Sequence, residues 1–235
     1  MLLSTSWPRR HRGLPVCRAF VEYPLDVPRK TPTADPIADE PDSKSARTRA
    51  RLLDAAAEVL AQRGFAGTRL SDIAKVAHVQ APAIYYYYSS REDLIEDVLF
   101  VGASAMYDFL ESTLAALPVD TPPAKRLEAA VEAHLRHELE LSDYARAVIR
   151  NANQIPDQFR ARAMAKIVEY NDLWRTLVAD LAAAGQLRSD VDPSIGRMLV
   201  LGALNWSVEW WDPARGPLDQ VIAVTQSMVL HALRP

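Results

Sequence analysis

The sequence predicts an all-helical protein, and three observations support that prediction. From Ser43 onward, apolar residues recur at spacings of three and four, the period of one helix face. Signals that end and start helices, such as Gly185 and the pair Asp192-Pro193, divide this stretch into separate elements. No segment alternates convincingly between apolar and polar side chains, so we expect no β-strand.

Periodicity and turn residues define the elements in the first half of the chain. Residues 1–42 contain seven prolines and follow no period, which favours a disordered arm. A face that includes Leu52, Val59 and Leu60 then marks a helix ending at Gly64. It is followed by short helices over residues 69–77 and 81–87 and by a long helix over residues 94–117, closed by Pro118.

The second half of the chain shows longer helices. Thr121-Pro122-Pro123 opens one helix, and an apolar stripe from Phe159 to Leu181 marks another that ends before a left-handed cap at Gly185. The N-cap Asp192 starts a helix over residues 193–211. The last predicted helix covers residues 217–232.

Charge is distributed unevenly along the chain. Residues 43–91 hold 8 basic and 3 acidic side chains, whereas residues 92–235 hold 13 basic and 21 acidic ones. A basic segment in an otherwise acidic chain is expected when one small module contacts phosphates. The single cysteine, Cys17, cannot form an internal disulfide, and no run of apolar residues is long enough to cross a bilayer, so we expect a cytoplasmic protein without membrane association.

The stretch Thr68–Leu94 has the features of two short helices joined by a tight turn. Asp72 lies where a carboxylate stabilises the free N–H groups of a helix start. His78 falls in the turn, which requires a left-handed backbone, and Val79 and Ile84 point inward. This pattern predicts a helix-turn-helix whose second helix enters the major groove of DNA. Its outward residues are Gln80, Ala81, Ala83, Tyr86 and Tyr87.

In these residues the sequence resembles the TetR family of transcription regulators, over about 50 residues. The matching positions, in order, are Gly64-Phe65, Thr68, Asp72-Ile73-Ala74, Val79, Ile84-Tyr85, Tyr88, Ser90-Arg91-Glu92 and Leu94. Three positions depart from the family pattern. His78 replaces the usual turn glycine, Ala81 replaces a commonly basic residue, and Arg69 stands where a Ser or Thr often caps the helix.

The resemblance implies roles for residues of the DNA-binding module. Phosphate contacts are expected from Arg47, Thr68, Arg69, Tyr85 and Arg91. Gln80 would pair with adenine and the Ala83 methyl would meet a thymine methyl, while Tyr86 and Tyr87 face the groove or solvent. Tyr88 is expected in the core.

After the proline-rich arm over residues 1–42, the resemblance implies a DNA-binding domain over residues 43–92 and a larger ligand-binding and dimerisation domain over residues 93–235. TetR proteins dimerise through their last two helices, which places recognition helices about one DNA turn apart on a palindromic operator. The residues expected at that interface are Leu199, Gly202, Ala203, Ile222, Ala223, Ser227 and Val229.

An effector site is expected among the helices of the larger domain, where polar and aromatic residues interrupt apolar stripes. The candidates are Tyr107, His134, Arg150, Asn153, Tyr170, Trp174, Asn205, Trp206 and Glu209. For Trp174 and His134 a purely structural role is the alternative. The segment Asn205–Pro213 resembles TetR regulators of acyl-CoA, lipid or steroid catabolism, which implies an apolar or acyl ligand, with Arg150 a candidate anchor for an anionic group.

The family resemblance therefore implies a ligand-released repressor that needs no cofactor and is not an enzyme. Two other functions remain open. His134, His137 and Glu138 lie within one helical turn and could ligate a metal, although no catalytic motif accompanies them. A DNA-binding architectural protein without an effector is the second alternative. The arm over residues 1–42 could add non-specific DNA contacts or reflect a start site assigned too far upstream.

Overall fold

The computed structural model describes residues 44–151 and 153–235, so the arm predicted over residues 1–42 lies outside the described residues. The described residues form α-helices and short helical turns, and they contain no β-strand. The helices are α1 (Lys44–Gly67), α2 (Leu70–Val76), α3 (Ala81–Ile84), α4 (Arg91–Ala115), α5 (Pro123–Arg136), α6 (Asp143–Asn151), α7 (Ala161–Ala183), α8 (Pro193–Trp210) and α9 (Leu218–Leu233). The all-helical prediction is confirmed.

The helices α1, α2 and α3 form the predicted helix-turn-helix module. Among the described residues, His78 is the only non-glycine residue with a positive φ. Its φ of 53° confirms the left-handed turn. Ile73, Ala74 and Ile84 are buried where the helices cross. The helix α3 is shorter than predicted, because residues after Ile84 form a turn that leads into α4.

The helix α1 does not end at Gly64 but changes direction there. Gly64 adopts φ 70° and ψ 173°, and a further short helical stretch continues to Gly67. Glycine takes this left-handed backbone without the steric cost that a Cβ would bring. The prediction of a special backbone at Gly64 is right, and the predicted helix end is three residues early.

The long helix α4 is the centre of the fold. It is long and apolar enough to span a bilayer by length and composition, but its apolar residues pack against α1, α5, α6 and α7. Gly102 allows α6 to approach closely. A Cβ at this position would lie 2.7 Å from Val148 Cγ2 and 2.8 Å from the Tyr144 carbonyl oxygen.

The segment between α5 and α7 contains structure that periodicity did not predict. The helix α5 runs into a π-helical turn, His137–Leu141, and α6 follows. The Ser142 side chain accepts a hydrogen bond from the Ala145 N–H, a capping arrangement typical of helix starts. The helix α6 is only nine residues long, too short for its apolar residues to establish a period.

The remaining helices complete the larger domain. The helix α7 ends before Gly185, whose φ of 67° confirms the predicted left-handed cap. Asp192 caps α8 by accepting from the N–H groups of Ser194 and Ile195, also as predicted. The helix α8 packs on α7 and α5, and α9 packs on α5.

Candidate nucleic-acid interface and effector site

The helix α3 and the turn after it present an exposed face. Gln80 and Ala83 are exposed, and Tyr86 is 82% exposed with its ring edge-on to that of Tyr87. Ala81 and Tyr87 are half-buried at the border of this face. The three exposed side chains face outward as the sequence predicts, and a short helix is the shape that a major groove admits.

Exposed groups flank this face at the positions expected for phosphate contacts. Arg47 on α1 and Arg69 at the start of α2 are both exposed, and Tyr85 is 62% exposed. Arg69 makes no side-chain capping hydrogen bond to α2. A guanidinium carries only donors, so Arg69 cannot accept from the free N–H groups of α2 as a Ser or Thr cap would.

The expectation that Thr68 contacts a phosphate is wrong. Its side chain is buried, and its hydroxyl donates a hydrogen bond of 2.8 Å to the Gly64 carbonyl oxygen. Thr68 therefore closes the end of α1, because the turn at Gly64 leaves that carbonyl without its helical partner.

The expectation for Arg91 also needs correction. Its guanidinium donates to the carbonyl oxygens of Phe65 and Thr68, each at 3.0 Å, and pairs with Glu92. It also stacks on the Phe65 ring, with 4.5 Å between the guanidinium carbon and the ring centre. Arg91 is thus a positioning residue that joins the start of α4 to the end of α1.

Tyr88 lies in the core, as predicted. Its side chain is buried, and burial raises the pKa of its hydroxyl to about 12. The guanidinium of Arg49 lies 5.4 Å from its ring centre. The run Tyr85–Tyr88 therefore divides into an exposed half and a half that faces the protein.

The helix α6 holds the end of α1 through Asn151, a residue the sequence did not single out. Its fully buried side chain accepts from the Phe65 N–H at 2.9 Å and donates to the Leu60 carbonyl oxygen at 3.2 Å. The Asn151 Oδ1 lies 3.5 Å from where a Gly64 Cβ would be. A lone asparagine in a short helix gives no sequence signal for this long-range contact.

Arg150, the neighbour of Asn151, was expected to anchor an anionic effector, and the structure shows a different role. Its guanidinium donates to the Ala61 carbonyl oxygen of α1 and the Val208 carbonyl oxygen of α8, both at 3.0 Å. It also pairs with Glu209 at 2.7 Å. Arg150 and Glu209 therefore link α6 with α1 and α8.

A small chamber lies inside the larger domain, between α4, α5, the π-helical turn and α7. Its apolar wall is formed by Met106, Phe109, Leu110 and Ala133, and the lining side chains leave no room for a water molecule between them. The polar part of its wall consists of His134, His137, Glu138 and Tyr170. The structure thus brings together two of the predicted effector candidates, His134 and Tyr170, and places His137 and Glu138 beside them.

The polar residues of the chamber form a buried chain of contacts. The Tyr170 hydroxyl and His134 Nδ1 are 2.5 Å apart, and His134 Nε2 contacts Glu138 Oε1. Trp174 packs edge-on against His134 behind the chamber wall. Burial, and then the nearby Glu138, raise the pKa of Tyr170 well above its usual value. Burial lowers the pKa of His137 to about 4, with His134 adding to that effect.

The other effector candidates do not line this chamber. The side chain of Tyr107 bonds Glu111 at the protein surface, and Asn153 is exposed after α6. Asn205 is half-buried on α8, and Trp206 is 51% exposed. Trp206 lies on the outer face of α8 because it follows Leu199 and Ala203 at helical spacing.

The outer faces of α8 and α9 carry many exposed apolar and small side chains. Leu199 is 70% exposed and Met228 is 68% exposed. The predicted interface residues Gly202, Ala203, Ala223 and Ser227 are exposed on the same faces. The sequence analysis missed four further apolar residues of these faces, which are Ile195, Trp210, Val224 and Met228.

Two predicted interface residues are placed elsewhere. Ile222 and Val229 are buried within the protomer, in the core formed with α5. They lie on the face of α9 opposite Val224 and Met228, so they stabilise the protomer and are not available to a partner. The sequence shows that α9 has apolar residues on two faces but does not show which one the protomer covers.

The metal alternative receives no support from the described residues. Among them, no group of three His, Cys, Asp or Glu side chains is arranged to hold a metal ion.

The fold and the exposed α3 define the class of protein as a helix-turn-helix DNA-binding protein with a separate helical regulatory region. One family model matches the DNA-binding region, and another matches the regulatory region. The model for "Bacterial regulatory proteins, tetR family" matches residues 52–98, and that for "Tetracyclin repressor-like, C-terminal domain" matches residues 120–234. The chain belongs to the TetR family of transcription regulators, which are not enzymes.

Curated relatives and solved structures agree with this assignment. The transcriptional repressor KstR2 of Rhodococcus jostii is 24% identical over 204 residues, which cover 84% of this chain and 96% of the relative. The fatty acid metabolism regulator protein of Bacillus subtilis is 21% identical over 164 residues, covering 68% of this chain and 81% of that protein.

Solved structures that share this fold over most of their length include the following two. The ketosteroid regulator KstR2 of Mycobacterium tuberculosis has a TM-score of 0.70 at 20% identity, covering 80% of this chain and 95% of that one. AibR in complex with isovaleryl coenzyme A and operator DNA has a TM-score of 0.68 at 21% identity, covering 77% of this chain and 96% of that one.

Proposed function

We propose that this TetR-family protein is an effector-controlled repressor that binds a palindromic operator as a homodimer. In this proposal residues 43–92 bind DNA and residues 93–235 bind the effector and the second protomer. The protein acts in the cytoplasm, where a regulator of this class meets DNA.

The exposed face of α3 supports the DNA-binding part of the proposal. Gln80 has an amide that can pair with adenine, and the Ala83 methyl can meet a thymine methyl. Arg47, Arg69 and Tyr85 surround this face and would contact phosphates, which position the helix without reading sequence.

The apolar faces of α8 and α9 support the homodimer. Exposed apolar side chains of this number on two consecutive helices are unusual for a monomer and typical of an interface. Pairing them around a two-fold axis would place two copies of α3 on one side of a duplex, about one helical turn apart.

The observation that supports effector control is the set of hydrogen bonds between α6 and the end of α1. Asn151 and Arg150 bond three backbone groups of α1 around Gly64, and Arg150 also bonds α8. Two more contacts connect the larger domain with α1. Tyr144 on α6 bonds Asp54 at 2.6 Å, and Asp97 on α4 pairs with both Arg49 and Arg162.

A ligand that shifts α4 or α6 would therefore move α1 and, with it, the position of α3. It must bind one arrangement more tightly than the other, and coupling of about 1–3 kcal/mol is typical. Several relatives carry names that refer to steroid, fatty acid or acyl coenzyme A chemistry, which supports an effector with an apolar or acyl body.

The proposal is tested in two stages with the full-length purified chain. Selection from random duplexes should first enrich an inverted repeat, bound by two protomers in sedimentation. The selected duplex is then titrated with isovaleryl coenzyme A, a long-chain acyl coenzyme A and a ketosteroid, one of which should release the protein. Enrichment of no dyad-symmetric site would overturn the proposal. Selection of such a site with no release by any small molecule would favour a constitutive architectural protein.

A further inference from the structure

A cleft lies where α8 ends and the chain turns toward α9, at the end of the aromatic segment Asn205–Pro213. It provides about 140 Å³ of free space and opens to solvent. Its wall includes the two tryptophans Trp210 and Trp211, together with Asp212 and Gln220. An engineered protein cavity of roughly 150 Å³ binds benzene, so a cleft of this size can hold a group of about six non-hydrogen atoms.

The backbone after α8 builds the cleft and fixes a carboxylate in its wall. Trp211 leaves the helical conformation, with a ψ of 138°, and α8 ends there. Asp212 then caps a short helical turn, because its Oδ1 accepts a hydrogen bond of 2.9 Å from the Ala214 N–H. A carboxylate accepts through both of its oxygens, so the capping Asp212 can still pair with a positive group on a ligand.

The two indole rings give the cleft a surface that attracts cations. Trp210 is 45% exposed although it is large and apolar, and Trp211 is half-buried against the core. The face of an aromatic ring carries partial negative charge, and indole binds cations more strongly than the other aromatic side chains do. Aromatic walls of this kind are how proteins bind alkylated ammonium groups. Two indoles in one small cleft therefore favour a cationic group over a neutral group of the same shape.

The charges around the cleft favour the same kind of ligand. Among the described residues of its wall, Asp212 is the charged one, and none is Lys or Arg. The carboxylates of Glu209 and Asp219, which flank the wall in sequence, are already paired with Arg150 and Arg136. An anionic ligand would enter beside Asp212 without a compensating positive charge among these side chains, whereas a cation gains from the carboxylate.

We infer that this cleft binds a small alkylated ammonium group, held by the indoles of Trp210 and Trp211 and by the carboxylate of Asp212. The alkyl groups contact the apolar part of the wall, and the positive charge is stabilised by the rings and the carboxylate. The site uses none of the residues assigned to DNA binding or to effector control, so it goes beyond the proposed function. It borders the proposed dimer interface, because Trp210 belongs to the exposed face of α8.

The test measures binding of matched probes to the full-length chain without DNA and at constant ionic strength. Choline carries a trimethylammonium group, 3,3-dimethylbutan-1-ol has the same shape without the charge, and ethanolamine has the charge without the methyl groups. Shifts of the indole N–H signals in nuclear magnetic resonance spectra follow each titration. Choline should bind about tenfold more tightly than either of the other probes. Binding of another probe as tight as that of choline, or no binding of choline at millimolar concentration, would overturn the inference.

Two substitutions locate the binding in the cleft, each with a matched control. Trp210→Leu should weaken choline binding by about fivefold, whereas Trp206→Leu, one turn earlier on α8 and 51% exposed, should not. Asp212→Asn keeps a side chain that caps the turn and removes the charge, so choline should again bind about fivefold more weakly. Asp219→Asn removes a carboxylate that is paired with Arg136 and should change nothing. Equal losses in a variant and its control would contradict the assignment.

Two further measurements test the charge and the occupant of the cleft. Arg215 lies in the same segment of the sequence, and removing one cation should not weaken another, so Arg215→Gln should bind choline at least as tightly as the wild type. Weaker binding there would contradict a cationic ligand. Binding of choline only to a variant that no longer dimerises would assign the cleft to the partner protomer and overturn the inference. These results do not depend on the operator experiment, because no DNA is present.

Discussion

Asn151 and Gly64 form a single structural unit, although they lie 87 positions apart in the sequence. The turn of the backbone at Gly64 separates the Phe65 N–H from the Ala61 carbonyl, which would be its partner in a continuous helix. Asn151 accepts from that N–H, and the neighbouring Arg150 donates to that carbonyl. The donor and the acceptor of this interrupted helical hydrogen bond thus each bond to the side chain of one of two consecutive α6 residues.

This unit predicts the effect of removing the Asn151 side chain. Asn151→Ala leaves the Phe65 N–H and the Leu60 carbonyl without these partners, so the free energy of unfolding should fall by about 2 kcal/mol. Chemical denaturation measures the change. Asn153→Ala is the control, because Asn153 is the same residue type two positions away and is exposed. An equal effect in both variants would show that the Asn151 contacts add nothing specific.

Arg69 and Arg91 should differ in their effect on the salt dependence of DNA binding. Arg69→Ala removes an exposed cation and should lower the slope of log affinity against log salt concentration by about 1. Arg91→Ala should weaken DNA binding with the slope nearly unchanged, because its donors are used by Phe65, Thr68 and Glu92. Affinities measured at four or more salt concentrations separate the two cases. A reduced slope for Arg91→Ala would return this residue to the phosphate contacts.

Gln80 should contribute to sequence preference rather than to overall affinity. Its exposed amide at the start of α3 can make two hydrogen bonds to adenine, worth about 1–3 kcal/mol against a wrong base. Gln80→Ala should therefore relax the preference at one base pair in each half-site of the selected operator. Gln62→Ala, an exposed glutamine on α1 bonded to Glu58, should leave the preference unchanged. Uniform weakening on all sequences would exclude Gln80 from base recognition.

The exposed faces of α8 and α9 should hold the dimer together. Leu199→Arg and Met228→Glu each place a charge in the proposed interface, so the dimer should dissociate at concentrations where the wild type remains paired. Val119→Glu is the control, since Val119 is a fully exposed valine far from these helices in sequence. Sedimentation velocity measures the change. Ile222→Ala should instead lower the stability of the protomer by about 2–4 kcal/mol, because its side chain is buried.

His137 should make the protein less stable in acid. Its pKa of about 4 in the folded chain lies below the usual 6.5, so the unfolded chain binds more protons between these values. The contribution of His137 is fully present above pH 6.5 and falls by about 3 kcal/mol as the pH drops to 4. Denaturation of the wild type and His137→Phe across this range measures the difference. Parallel curves for the two proteins would show that burial does not hold His137 neutral.

Part of the site was predictable because its signals are local. The left-handed turn at His78 and the outward direction of Gln80 follow from residues a few positions apart. The cap at Asp192 and the special backbone at Gly64 are equally local. By contrast, the phosphate contacts expected of Thr68 and Arg91 follow from the family resemblance and not from a local signal in this chain. Their actual partners are backbone carbonyls, which no side-chain pattern marks.

The sequence by itself determined the helical class, the order of most helices and the DNA-binding module, because helix periodicity and caps act over one or two turns. Only the tertiary structure decided which apolar face of α9 the protomer covers and that His137 and Glu138 face a shared chamber. It also decided that side chains of α6 bond to the backbone of α1 beside Gly64. The physical reason is that these outcomes depend on how distant helices pack, and burial and hydrogen-bond pairing are settled only when those helices meet.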